Sequence, residues 1–256
     1  MTKRKVIIHY HIFKNAGTSI DRMLEESYGE RWMNFDKPEV GEKISPEEME
    51  EFILDHPSGV AFSSHQLVPP PQFKRVIVFP IILIRHPIDR AYSAYLFEWR
   101  KQQGVEEPIG SFAEYIDEKF QHPRQNAIED FQAFHLANRC YSGKIAQPIL
   151  DDEDILGNAR GLLSNIGYFG IVDYYAESLQ YFKIKMAMHF PELIFKEFRE
   201  NVLQDETMSI GVKLARIKRL LNDCSYISLV MRNQLDLRLY EYALGLFTKM
   251  RRDRRS

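Results

Sequence analysis

Cysteine is nearly absent from this chain of 256 residues: there are two, Cys140 and Cys224, without metal-ligand spacing. That rules out a disulfide framework, and two isolated thiols fit a reducing compartment. Long apolar runs are missing too. No stretch reaches the roughly 18 apolar residues that a membrane span requires. The run Val6–Phe13 follows Lys3, Arg4 and Lys5 as a leader segment would. It is too short for one, carries His9 and His11, and has no small-residue cleavage site. The chain is therefore expected to be cytoplasmic, with no membrane span. Excess charge of one sign is also lacking: 34 Lys and Arg face 36 Asp and Glu, a net charge of −2. No bulk basic field points to nucleic acid, so any anion site must be local. Internal repeats and low-complexity segments are absent. What remains is an ordinary globular composition, long enough for one sizeable core, and it reads as a single domain over 1–256.

The chain opens with KVIIHYHIF, rich in β-branched and aromatic residues, which reads as a buried strand. A short loop of small residues, KNAGTS, leads into IDRMLEESYG, where Ile20, Met23, Leu24 and Tyr28 recur at helical spacing. Strand, tight loop and helix in that order begin an α/β nucleotide-type fold. Residues 30–58 look irregular except for a helix at PEEMEEFIL, where Ser45 and Glu48 form a capping box. GVAFSSH is a second strand. RVIVFPIILIRHP is the most apolar run and suits the centre of a parallel sheet. Pro80 interrupts it, which places the core strand at Ile81–Arg85. A helix opens at Pro87. Beyond residue 111 the pattern is mostly helical, with a short strand at YFGIV, a mixed segment with a loop at 200–226, and a long helix from Ser228 to Met250.

Two segments carry chemistry. The first is the loop Phe13-Lys14-Asn15-Ala16-Gly17-Thr18-Ser19. The start of a helix presents unsatisfied N–H groups and the positive end of its dipole. Small residues let a phosphate approach the backbone, while Lys14 adds charge and Thr18 and Ser19 add hydroxyls. A triphosphate loop would need G-x-x-x-x-G-K-[ST], and neither its first glycine nor its lysine is present. Taken alone, the segment is equally well a plain strand-to-helix turn. The second segment runs from Arg85 to Ser93, RHPIDRAYS. An arginine at the end of a central strand points to the ligand edge of such a sheet. Ser93, two helical turns later, can face it, so a fork and a hydroxyl suit a terminal phosphate.

These two segments resemble the PAPS-dependent sulfotransferases (PAPS is 3′-phosphoadenosine-5′-phosphosulfate), and more closely the carbohydrate-type branch with the uronosyl 2-O-sulfotransferases. FKNAGTS is similar to that family's 5′-phosphosulfate loop, with Phe13 for the usual proline and Asn15 for the commoner threonine. RHPIDRAYS is similar to its 3′-phosphate segment. Weaker likeness extends to GYFGIVDYYAESLQYF and to NQLDLRLYEYA. The resemblance implies an α/β fold, P-loop-like, with a central, mainly parallel sheet flanked by helices and a helix-rich C-terminal half. It implies sulfuryl transfer from PAPS to an acceptor hydroxyl, carbohydrate by the closer likeness, without a metal. The implied donor contacts are Lys14, Asn15, Ala16, Gly17, Thr18, Ser19, Arg85 and Ser93, with Lys14 on the leaving 5′-phosphate oxygen.

The acceptor must lose a proton, and histidine is suited to take it near neutrality. The family places its catalytic histidine at a strand end between the two phosphate motifs, and His65 in FSSHQL occupies such a position. His11 is its rival and is assigned to packing or to support of the site. His86 is expected to cap the following helix or touch the nucleotide, and Arg22 and Asp89 to pair. Two other classes remain open: an ATP-dependent small-molecule kinase, and a non-catalytic nucleotide-binding module that has no need of His65.

Overall fold

Alternation along the first strand sets the architecture. The computed structural model describes residues 3–39, 41–67, 69, 73–102, 104, 108–121, 126–137, 151–196, 198 and 208–253. Strand β1 (Arg4–Tyr10) sends Val6, Ile8 and Tyr10 into one core cluster and Ile7 into another on the opposite face. The first cluster is closed by helices α2 (Pro46–Asp55), α5 (Phe131–Leu136), α6 (Asp152–Ile166) and α10 (Gln234–Asp253). The second is closed by α1 (Gly17–Tyr28) and α7 (Tyr175–Met186). A third cluster packs α3 (Pro87–Phe97) against α4 (Phe112–Lys119), α8 (Ile210–Arg219) and α9 (Asp223–Met231).

The sheet is parallel, in the order β2 (Trp32–Asn34), β3 (Ala61–Ser64), β1, β4 (Val76–Ile81). Strand β5 (Leu83–Ile84) follows β4 after one residue and pairs with β6 (Gly170–Ile171), also parallel. The α/β architecture with a central parallel sheet flanked by helices is therefore as expected. The apolar run differs in detail. Pro80 lies inside β4, opposite Ile8, and the break comes at Ile82. A proline is tolerated there because, among the described residues, β4 is paired only with β1; pairing with β6 begins past it, at Leu83 of β5.

Local signals hold where they are self-contained. Ser45 accepts from the Glu48 N–H while the Glu48 carboxylate accepts from the Ser45 N–H, the expected capping box. The long C-terminal helix is instead two, broken at Asn233, whose side-chain amide donates to the carbonyls of Ile128 and Leu229. Of the segment 200–226 expected to hold a loop, residues 200–207 lie outside the described residues, and Ile210–Arg219 is helix.

Gly170 joins the two halves of the sheet: its N–H donates to the Ile82 carbonyl at 2.9 Å. A Cβ there would fall 2.4 Å from Leu83 Cδ2 and 2.7 Å from Ser178 Cβ. Gly170→Ala should lower the unfolding free energy by about 1–3 kcal/mol through overpacking. Urea denaturation measures it, and an unchanged midpoint would mean that the contact relaxes freely.

Candidate functional site

The carboxyl ends of β1, β3 and β5 and the starts of α1 and α3 open onto one cavity of about 580 Å³. That lies within the roughly 300–1,000 Å³ of small-molecule sites. Phe13, Lys14, Ala16, Gly17, Thr18 and Ser19 line it, as do Arg85, Ser93 and His65. The two motifs, some seventy residues apart, thus share one wall.

The loop between β1 and α1 has an unusual backbone. Lys14 and Ala16 both have positive φ, 63° and 59°, a conformation that non-glycine residues seldom adopt. Such alternation turns successive N–H groups toward one side and makes an anion cradle. Ala16 is the N-cap of α1, so no side chain caps the helix, and no acidic residue sits in its first turn. The positive end of α1 is left facing the cavity. Ser19 is mostly buried, and its N–H donates to the Ala16 carbonyl, which leaves its hydroxyl as its main offering.

Asn15 departs from expectation. Its side chain is buried and donates to the Leu83 carbonyl at 2.7 Å and to Gln132 Oε1 at 2.8 Å, and its N–H donates to the Ile12 carbonyl. It is absent from the cavity wall. Asn15 therefore braces the loop from behind rather than offering its donors to a ligand. Gln132 in turn accepts from the Arg85 N–H and donates to the Arg85 carbonyl, each at 2.9 Å. The Arg85 guanidinium donates to the Lys14 carbonyl at 2.9 Å and to Asp89 at 2.6 Å. The side chain is thereby aimed before any ligand arrives.

His65 stands at the end of β3 with its side chain 48% exposed. Its Nδ1 lies 2.9 Å from Asp36 Oδ2, and its N–H donates to Asp36 Oδ1. Burial alone would raise the Asp36 carboxyl. Hydrogen bonds from His65, Asn34 and Ser64 outweigh it and hold the group well below the usual carboxylate range. An anionic partner on Nδ1 leaves Nε2 as the nitrogen available to the cavity.

His11 stacks on His65, ring centroids 3.9 Å apart. Because β1 alternates, Ile7, His9 and His11 share the face toward α1. Asp21 of α1 receives both histidines at 2.7 Å, one on each oxygen, and also the Ser63 hydroxyl at 2.6 Å. Two imidazoles and a carboxylate within 4.8 Å have the donor types of a metal site. Here both Nδ1 atoms are already engaged by Asp21. Burial lowers the His11 pKa to about 4, the Asp21 hydrogen bond opposing it.

Two expectations change. His86 is half-buried and absent from the cavity wall; its side chain makes no cap hydrogen bond, and its ring meets Tyr240 edge-on. Arg22 pairs with Glu25 and Glu26, while Asp89 belongs to Arg85. Sequence reading also missed cavity residues. Lys213 and Arg216, three apart on α8, put two more cations on the wall, and Asp173 faces them after β6. Burial pushes the Asp173 carboxyl up, against a hydrogen bond from Tyr240 and the charges of Lys213 and Arg85.

Fold and site together define a parallel α/β protein with a cationic cavity at the carboxyl ends of its strands and a carboxylate-backed histidine on the rim. The sulfotransferase family profile matches residues 1–243, and the chain belongs to the sulfotransferase family. A protein of Archaeoglobus fulgidus, itself uncharacterized, is 29% identical over 260 residues, covering 95% of this chain and 98% of the other. Family membership supports sulfuryl transfer to an acceptor hydroxyl. Among the described residues no helix is long and apolar enough to cross a membrane.

The His11 environment makes a measurable claim. The unfolded chain protonates this histidine near its ordinary 6.5 and the folded chain only near 4. Its contribution to stability therefore falls as pH drops from about 6.5 to about 4. Imidazole NMR of the folded protein should show His11 neutral from pH 8 to 5; titration near 6.5 would contradict that environment.

Proposed function

We propose that this protein transfers a sulfuryl group from PAPS to a hydroxyl, with a carbohydrate acceptor as the favoured class. One observation carries the reading: the Phe13–Ser19 loop, the Arg85–Ser93 segment and the His65–Asp36 pair all meet on a single cavity. A donor with phosphates at both ends of its adenosine needs two anion grips on one wall, and a reactive group between them needs a base at hand.

In this reading the first-turn N–H groups of α1 and the Thr18 and Ser19 hydroxyls hold the 5′-phosphate. The Lys14 ammonium, which rests over the Phe97 ring at 4.2 Å, neutralises charge on the leaving phosphate oxygen as the S–O bond to it breaks. Arg85, already oriented by Asp89 and the Lys14 carbonyl, grips the 3′-phosphate with Ser93. Lys213 and Arg216 add positive charge on the same wall. His65 Nε2 takes the acceptor proton as the new S–O bond forms, and Asp36 stabilises the resulting imidazolium. Positioning and charge neutralisation do most of the work, as in phosphoryl transfer.

Calorimetry with 3′-phosphoadenosine-5′-phosphate (PAP) and with ATP tests the donor assignment. PAP should bind, and Arg85→Ala should weaken it at least tenfold, about 1.4 kcal/mol. Tight ATP binding that is indifferent to Arg85 would favour a kinase instead. For the base, a panel of carbohydrate, phenolic and lipid hydroxyls with labelled PAPS should reveal turnover. His65→Ala should cut that turnover by about 10²–10⁴-fold while PAP affinity holds. Undiminished turnover would move the proton to another group.

A further inference from the structure

We propose that His11 is a positioning residue that couples the phosphate loop to His65. The inference deepens the reading of His65 as proton acceptor and rests on it. The His11 ring is fixed on three sides. Asp21 holds its Nδ1 at 2.7 Å. One face stacks on His65, with the rings tilted by 26°. The third constraint is Gly17: a Cβ at that position would fall 2.2 Å from His11 Cδ2 and 2.3 Å from its Nε2. Gly17 has no positive φ, so its backbone does not demand glycine. The space for the His11 ring does.

The consequence is mechanical. Gly17 begins α1 and belongs to the loop that would hold the 5′-phosphate, while His65 follows β3 and, among the described residues, is held by Asp36 and the stack. A buried ring in van der Waals contact with both cannot let one move without shifting the other. The His11 side chain is only 11% exposed, so it is a spacer with little room to yield. Burial also keeps it neutral, which lets it lie against an imidazolium on His65 without the repulsion of a second cation. The ring's shape, rather than its proton chemistry, performs this task.

A double-mutant cycle tests the coupling in the full-length protein. Histidine is labelled with ¹³C, and His65→Gln identifies the His65 signals. Gly17→Ala, whose Cβ would meet the His11 ring first, should shift those signals in the otherwise native chain. The shift should vanish in a His11→Ala background, because the connecting ring is gone. It should return with His11→Phe, which keeps a ring and leaves Asp21 its bonds from His9 and Ser63. An equal shift without the ring, or no shift with it, would overturn the proposal. So would failure of His11→Phe to restore it, since the nitrogen would then be the operative part. PAP calorimetry on the same native protein separates the two readings: a chain that binds no PAP loses its donor assignment, while the imidazole signals still decide the coupling.

Discussion

One buried amide holds the site together. Gln132 has no solvent exposure, yet its side chain bonds Asn15 of the first motif and both backbone groups of Arg85 in the second. Asp236 on the C-terminal helix fixes it in turn, accepting from its N–H and its amide. A buried polar group left without its partners costs about 1–3 kcal/mol, so each member enforces the others. The spacing between the two motifs is thereby set by the core rather than by the loops. Cationic side chains close to one another repel, and an unbraced loop would relax away from that repulsion. Here Arg85 donates to the Lys14 carbonyl, so the two motifs are also joined at the surface of the cavity.

Charge is distributed to match. The chain is slightly acidic as a whole, while its cavity gathers Lys14, Arg85, Lys213 and Arg216. Of the acids on the same wall, Asp89 is committed to Arg85 and Glu177 pairs with Arg251, while burial raises the Asp173 carboxyl, so they do not cancel the cationic character fully. A concave, partly desolvated wall makes such charges count for more than they would on an open face. Opposite them, two histidines each lean on an aspartate. His65–Asp36 is half open to solvent, whereas His11–Asp21 is enclosed. The same pairing thus leaves one imidazole open to the cavity and encloses the other beside it.

Much of this was legible from the chain alone, and the limits have physical causes. Phe13–Ser19 and Arg85–Ser93 are contiguous, so their chemistry survives without knowledge of tertiary contacts. The Ser45 capping box is closed within four residues and reads equally well. Gln132 sits in NAIEDFQAF, where nothing local distinguishes it from a solvated helix residue; its importance comes from partners 47 and 117 positions away. Asp36 lies in a stretch without periodicity and gains its role only when β3 brings His65 beside it. Asn15 matched a motif position, but the motif does not say which way a side chain turns. Pro80 misled because its rule depends on whether a strand has one neighbour or two. The glycine at 17 did signal close approach, though of a ring from its own protein as well as of a ligand.

The outer strands of the sheet carry a consequence for the protein in a crowded solution. β2, one rim of the four-stranded sheet, has three residues, while β4, the other rim, has six and carries Pro80. An exposed rim is a template onto which another chain can zip, and its reach grows with its length. The short rim offers too few backbone groups to hold a stranger, and on the longer one Pro80 takes a donor away, so the sheet resists edge-to-edge aggregation by truncation on one side and by a proline on the other.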